Sequence, residues 1–124
     1  MLIEDFYTIH SFNKSENSLF AEIHLNPEHE VYKGHFPQQA VVPGVIQLQI
    51  IKELLEKDLS ANLIIKEVIM AKYLNMIAPE ENPVLDINIE YGLNETGDYL
   101  VNATISKDDM SFTKLKAKLS KSAM

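Results

Sequence analysis

The spacing of hydrophobic residues along this chain predicts a β-rich protein with one long helix. Apolar and polar residues alternate from Leu19 to Leu25, which is the period of a half-buried strand, and Asn26-Pro27 ends it. The same alternation recurs in three later segments separated by turns, and a longer apolar segment is assigned to a strand because of its β-branched residues. The predicted strands are residues 2–12, 19–25, 63–77, 85–91, 99–105 and 113–119.

The predicted helix runs from Pro43 to Asp58 and has a wide apolar face. Gln49 and Glu53 fall among the polar residues on its other side, where a solvent-exposed face is expected. So wide an apolar face indicates a helix embraced by a sheet, so we expect an α+β fold in which a curved antiparallel sheet wraps the helix. The apolar positions are Ile46, Leu48, Ile50, Ile51, Leu54, Leu55 and Leu59.

Composition narrows the class of protein without identifying it. The 124 residues suit one domain, residues 1–124, that can bury a core without metals or disulfides. The chain has no cysteine, which excludes thiol catalysis and Cys-ligated zinc. A net charge of −7 argues against nucleic-acid binding, and neither a signal peptide nor a membrane span is indicated, so a cytoplasmic location is expected.

Candidate chemistry is concentrated between Tyr32 and Gln49. Gly34, Pro37 and Pro43 interrupt regular structure, which predicts a rigid irregular loop up to residue 42. Pro43 suits the first position of the helix. The next two residues, Gly44 and Val45, would then offer unpaired N–H groups at the positive end of the helix dipole to a carbonyl oxygen or oxyanion. His35 is expected to place an imidazole beside that site.

The motifs in this stretch resemble a known family. Gly34-His35-Phe36-Pro37, followed by Val42-Pro43-Gly44-Val45 at the head of the helix, is similar to the β-hydroxyacyl-acyl-carrier-protein dehydratases, which have the hotdog fold. The resemblance extends to Lys72-Tyr73 and Pro79, and to the length and order of the whole chain. It implies a dimer with two active sites at the subunit interface, each taking a thioester in a tunnel beside the helix.

The resemblance also implies roles for individual residues. The amide of Gly44 would bind the thioester carbonyl, and His35 would remove the proton α to it. Phe36, Pro43 and Val45 would contribute to the substrate-binding site. An acid from the helix of the other subunit would assist departure of the β-hydroxyl, giving a trans-2-enoyl thioester without cofactor or metal.

The chain departs from the family at Gln49, which stands where the acid is expected. Glutamine can hold a hydroxyl group but has no proton to release. Three hypotheses follow: His35 does both proton transfers while Gln49 orients the hydroxyl; Glu53, one helical turn further on, supplies the carboxylate; or the protein binds or processes another thioester without dehydration. The first is preferred. The alternatives to a dehydratase are a hotdog thioesterase and a non-catalytic acyl-binding or partner subunit that lacks the acid.

The expected partners follow from the same resemblance. The substrate would be carried by acyl carrier protein or coenzyme A, and Lys33 and Lys72 are the candidate contacts for an acidic carrier. A homodimer is expected, extending to a higher oligomer or to a heteromer with a complete dehydratase subunit. His10, His24 and His29 are assigned no catalytic role, and no third ligand of suitable spacing supports a metal site.

Overall fold

The computed structural model describes residues 3–34 and 40–122, with backbone only for Lys33 and Gly34. Six strands and one long helix follow one another in the predicted order. The structure also contains a short helix after the second strand that the sequence pattern does not predict. The elements are β1 (Tyr7–Lys14), β2 (Ser18–Leu25), α1 (Val31–Gly34), α2 (Gly44–Leu59), β3 (Leu63–Tyr73), β4 (Val84–Leu93), β5 (Tyr99–Lys107) and β6 (Met110–Lys121).

The six strands form one antiparallel sheet in the order β1-β2-β4-β5-β6-β3. The predicted meander of β4, β5 and β6 is confirmed. Alternate residues of β2, β4, β5 and β6 are buried, because the period of two places them all on the face that packs against α2. From the helix, Ile50, Ile51, Leu54 and Leu55 complete this core, each at most 2% exposed. The α+β arrangement of one helix against a curved antiparallel sheet is as expected.

The helix differs from its prediction in two respects. It begins at Gly44, and Pro43 is the capping residue with extended backbone angles, so Gly44 takes the first helical position that the sequence pattern assigns to Pro43. The helix ends with Ser60 in the left-handed region, where its amide donates to the Glu56 carbonyl. The second correction concerns Glu53: the pattern places it on a solvent-exposed face, but it is 2% exposed, because the N-terminal segment covers it.

Strand β3 lies at the edge of the sheet and is poorly covered on both faces. It pairs only with β6 among the described strands, and Leu63 is its one buried residue. It ends at Tyr73 rather than at residue 77, since the next amides, of Leu74 and Asn75, both donate to the Phe112 carbonyl. The large apolar side chains that are exposed on β3 and on the loop that follows it are Ile64, Val68, Ile69, Tyr73, Leu74 and Met76.

Candidate active site

The N-terminus of α2 offers unpaired backbone donors. Pro43 has no side chain that can cap a helix, and its carbonyl accepts from the amides of Ile46 and Gln47. Within the described residues, the amides of Gly44 and Val45 have no acceptor. These two N–H groups lie at the positive end of a 16-residue helix, where a carbonyl oxygen or an oxyanion is stabilised.

Tyr73 covers this helix terminus. A methyl group added to Gly44 would lie 2.6 Å from both Cζ and the hydroxyl oxygen of Tyr73, so only glycine fits while the ring stays in place. The two residues line a cleft of about 420 Å³ together with Pro43, Gln47 and the segment after β3. The side chain of Val45 points away from it and is 74% exposed. The structure therefore brings together Pro43, Gly44 and Tyr73, but not the Val45 side chain.

Gln47 fixes the position of this terminus and is not singled out by its sequence context. Its side chain is 4% exposed, donates to the Val42 carbonyl at 3.1 Å and accepts from the Thr113 hydroxyl. The amide of Val42 in turn donates to the Ile77 carbonyl at 2.8 Å. These bonds tie the segment before α2 to β6 and to the loop after β3, so the Gly44 amide is held by a rigid frame.

Gln49 and Glu53 form a hydrogen-bonded pair on the next part of the helix. Nε2 of Gln49 donates to Oε2 of Glu53 at 2.8 Å. The other oxygen of Glu53 accepts from the Ile3 amide at 3.0 Å and from the Tyr7 hydroxyl at 3.1 Å. Both oxygens of Glu53 therefore act as hydrogen-bond acceptors in this arrangement.

Tyr7 reports the environment of that carboxylate. The Tyr7 ring is 1% exposed, and burial raises the pKa of its phenol well above the ordinary value. The negative charge of Glu53 and the hydrogen bond between the two side chains raise the same pKa further. Tyr7 therefore stays protonated and keeps donating to Glu53 throughout the physiological range.

The predicted site residues lie in different places. Gln49 lines an open cleft of about 560 Å³ with Ile3, Glu53 and Lys52, and Gly44 is not part of that cleft. His35 and Phe36 lie outside the described residues, so their predicted roles stay predictions. A larger cleft of about 890 Å³ at the β5–β6 turn contains none of the predicted site residues.

Lys72 lies in a group of three lysines on the outer face of the β6–β3 edge. It stands directly opposite Lys114, and Lys116 follows on the same face of β6. All three are exposed, and none has an ion pair within residues 3–34 and 40–122, whereas Lys118 pairs with Glu67 at 3.8 Å. Like charges directly opposite one another are unfavourable, so this face attracts anions. The side chain of Lys33 is not among those that the structure describes.

The remaining histidines are engaged elsewhere. His24 contacts Glu22 at 3.2 Å and stacks on His10, while His29 contacts Asp5 at 3.1 Å. In the described part of the chain, no group of three His, Asp or Glu side chains is arranged to hold a metal ion. No helix in that part is both long enough and apolar enough to cross a membrane.

Comparison with known proteins identifies a family to which the chain is similar and solved structures that share its fold. A model of the ApeI-like family, described as ApeI dehydratase, matches residues 11–113. No match to the chain is found among curated protein sequences.

Solved structures with the same architecture are remote in sequence. A chain of the dehydratase heterocomplex ApeI:P from Xenorhabdus doucetiae has a TM-score of 0.67 at 17% identity, covering 91% of this chain and 96% of the other. An uncharacterised protein from Erwinia carotovora has a TM-score of 0.64 at 20% identity, covering 92% and 93%. A variant of a thioesterase from Staphylococcus aureus has a TM-score of 0.66 at 9% identity, covering 94% and 93%. At these identities the likeness establishes the fold, and the predicted hotdog fold is confirmed.

Proposed function

Because the chain belongs to the ApeI-like dehydratase family, we propose that it binds a 3-hydroxyacyl thioester and eliminates water from it. The observation that carries the proposal is the pair of unpaired amides of Gly44 and Val45 at the start of α2, where Gly44 lines the 420 Å³ cleft. They suit a thioester carbonyl oxygen, which gains negative charge when the adjacent carbon loses a proton.

In this proposal His35 carries both proton transfers. Its imidazole takes the α-proton, the electron pair forms the Cα–Cβ double bond, and the Cβ–oxygen bond breaks. The imidazolium then returns the proton to the departing hydroxyl, which leaves as water. The products are a trans-2-enoyl thioester and the unchanged enzyme, and no cofactor enters the balance.

The complete site is proposed to need two subunits. In a single chain Gly44 and Gln49 line different clefts, so the hydroxyl-holding group of one subunit would face the carbonyl-binding group of another. The exposed edge of β3 suits such an association, because a long apolar edge strand is a template for pairing with another chain. The relative from Xenorhabdus doucetiae is itself a heterocomplex.

The test is an assay of enoyl thioester formation from 3-hydroxyacyl carrier proteins over a range of chain lengths. We expect turnover by the purified protein and near-complete loss in His35→Ala, with free thiol measured in the same samples. No enoyl product at any chain length would refute the proposal. Thiol release without enoyl product would assign the protein to the thioesterases instead.

An acidic carrier protein is the proposed donor of the acyl chain. The unpaired cluster of Lys72, Lys114 and Lys116 supports this, because charge complementarity steers such encounters. Lys72→Glu is expected to raise the KM for acyl carrier protein about tenfold at low salt and to leave the KM for a pantetheine thioester unchanged. Lys118→Glu is the matched control, because Lys118 already has an ion-pair partner. Equal effects of the two changes would exclude docking at the cluster.

A second candidate is a partner subunit that needs another subunit for turnover. The observation in its favour is that position 49 carries an amide, while the nearby Glu53 carboxylate is occupied as an acceptor. Such a protein would bind the acyl carrier protein and stay inert alone, and would become active on mixing with a hotdog subunit that carries an acid at the equivalent helix position. Equal rates with and without that subunit would argue against this candidate.

A further inference from the structure

The hydrogen bonds around Glu53 determine which end of the Gln49 amide is presented to its cleft. A carboxylate only accepts, so the amide nitrogen of Gln49 must face Glu53, as its 2.8 Å contact shows. The carbonyl oxygen, Oε1, is then the end turned the other way. Among the described residues this oxygen has no hydrogen-bond donor, and the side chain is half-buried at the edge of the 560 Å³ cleft.

Glu53 cannot easily change its own orientation. One of its oxygens accepts hydrogen bonds from the backbone N–H of Ile3 and from the buried Tyr7 hydroxyl. A backbone N–H can only donate, so the atom that faces Ile3 must be an acceptor. The carboxylate is 2% exposed, so these donors take the place of water. The orientation of Gln49 is therefore fixed from residues that lie far from it in sequence.

We infer that Glu53 is a positioning residue that holds Gln49 as a hydrogen-bond acceptor, so that the cleft takes an O–H donor. This inference rests on the proposed function and specifies which hydrogen-bonding group of the substrate Gln49 contacts. The donor is either the β-hydroxyl of a 3-hydroxyacyl chain or a water molecule bound for attack on a thioester. A 3-oxoacyl chain offers only an acceptor at that position and is disfavoured.

Glu53→Gln tests the inference because it reverses the chain of hydrogen bonds. The oxygen of the introduced amide must accept from the backbone N–H of Ile3, so its NH₂ group faces Gln49. Gln49 then has to accept, and turns its own NH₂ group toward the cleft. The variant should therefore favour a keto group over a hydroxyl, which is the reverse of the wild-type preference.

The measurement is the ratio of dissociation constants for 3-hydroxyacyl and 3-oxoacyl pantetheine thioesters of one chain length. We expect the wild type to prefer the hydroxyl ligand by about tenfold and Glu53→Gln to lose or reverse that preference, as one hydrogen bond would dictate. Tyr7→Phe is the matched control: it removes one donor to Glu53 but leaves the Gln49 bond, so it should lower thermal stability without changing the ratio. An unchanged ratio in Glu53→Gln, together with unchanged thiol release from a simple acyl thioester, would overturn the inference.

Two further readouts separate the possible results. If the donor is water, the two ligands bind wild type equally and Glu53→Gln instead lowers thiol release from a simple acyl thioester about tenfold. If none of the proteins binds a thioester, the proposed function fails. The side-chain amide protons of Gln49, followed by NMR, then test the orientation of the amide by itself. One of them should be protected from exchange with solvent in the wild type and in Tyr7→Phe, and should lose that protection in Glu53→Gln. Loss of protection in Tyr7→Phe as well as in Glu53→Gln would overturn the inference.

Discussion

Replacing Gln49 with glutamate is expected to destabilise the protein, even though glutamate is the residue that a dehydratase would carry there. Nε2 of Gln49 lies 2.8 Å from Oε2 of Glu53, so Gln49→Glu puts two carboxylates where a donor and an acceptor now meet. Two unit charges about 4 Å apart repel by about 4 kcal/mol at an effective dielectric constant near 20. The hydrogen bond to a charged acceptor, worth about 1.5–3 kcal/mol, is lost as well.

The folded variant can avoid the repulsion by keeping one proton between the two carboxyl groups. Holding a proton on a carboxyl whose ordinary pKa is about 4.3 costs about 4 kcal/mol at pH 7 and about 1 kcal/mol at pH 5. Alternatively, the half-buried side chain at position 49 turns to solvent and gives up the bond. We therefore expect a loss of about 2–4 kcal/mol at pH 7 and about 1 kcal/mol at pH 5. The sign follows because the folded variant binds more protons than the unfolded chain, so its stability falls as the pH rises.

The exchange Gln49→Glu with Glu53→Gln should recover that loss. In the double variant the amide introduced at position 53 accepts from the backbone N–H of Ile3 through its oxygen. Its NH₂ group donates to the carboxylate introduced at position 49, so one donor again meets one acceptor. Urea unfolding of the wild type, the single variant and the exchange variant at pH 5 and pH 7 measures the three free energies. Equal stability of the single variant and the wild type at both pH values, or no recovery in the exchange, would refute the reasoning.

Three further changes test other parts of the structure. Gly44→Ala is expected to cost about 1 kcal/mol in urea unfolding, because its methyl group meets the half-exposed ring of Tyr73, and to cost nothing in a Tyr73→Ala background. Tyr91→Phe removes a hydrogen bond to a buried carboxylate and should cost about 1–2 kcal/mol below pH 10. Since burial and that bond raise the pKa of Tyr91 to about 12, the difference should shrink as the pH rises from 10 to 12. Val68→Lys on the exposed β3 edge should reduce the sedimenting mass to that of a monomer, whereas Leu93→Lys, at 64% exposure on another strand, should not.

The strands are predictable because their signal is local. Alternation of period two places one set of side chains against the helix, and the predicted segments 19–25, 85–91, 99–105 and 113–119 each fall within an observed strand. The first strand is predicted as residues 2–12 but runs from Tyr7 to Lys14, because that segment lacks a regular period. The position of β3 at the sheet edge depends on pairing with residues of β6 that lie at least 40 positions later in the sequence, which no local pattern encodes.

The candidate site is predictable only where backbone chemistry defines it. Pro43-Gly44 at the start of an apolar helix indicates unpaired amides, and the structure places them there. The prediction that Glu53 lies on a solvent-exposed face is wrong, although its position among polar residues is typical of such a face. Its burial depends on Ile3 and Tyr7, which are 50 and 46 residues away in sequence. The contact of Tyr73 with Gly44 likewise joins two distant segments.

We propose that the chain retains a dehydratase site in which the amide of Gln49 has replaced the acid. The most direct test is the initial rate of enoyl thioester formation by the wild type and by the Gln49→Glu, Glu53→Gln exchange variant, with the same 3-hydroxyacyl carrier protein. A positioned general acid contributes about 10²–10⁴ in rate, so we expect a gain of at least about a hundredfold in kcat with little change in KM. A folded exchange variant that forms enoyl product no faster than the wild type would contradict it.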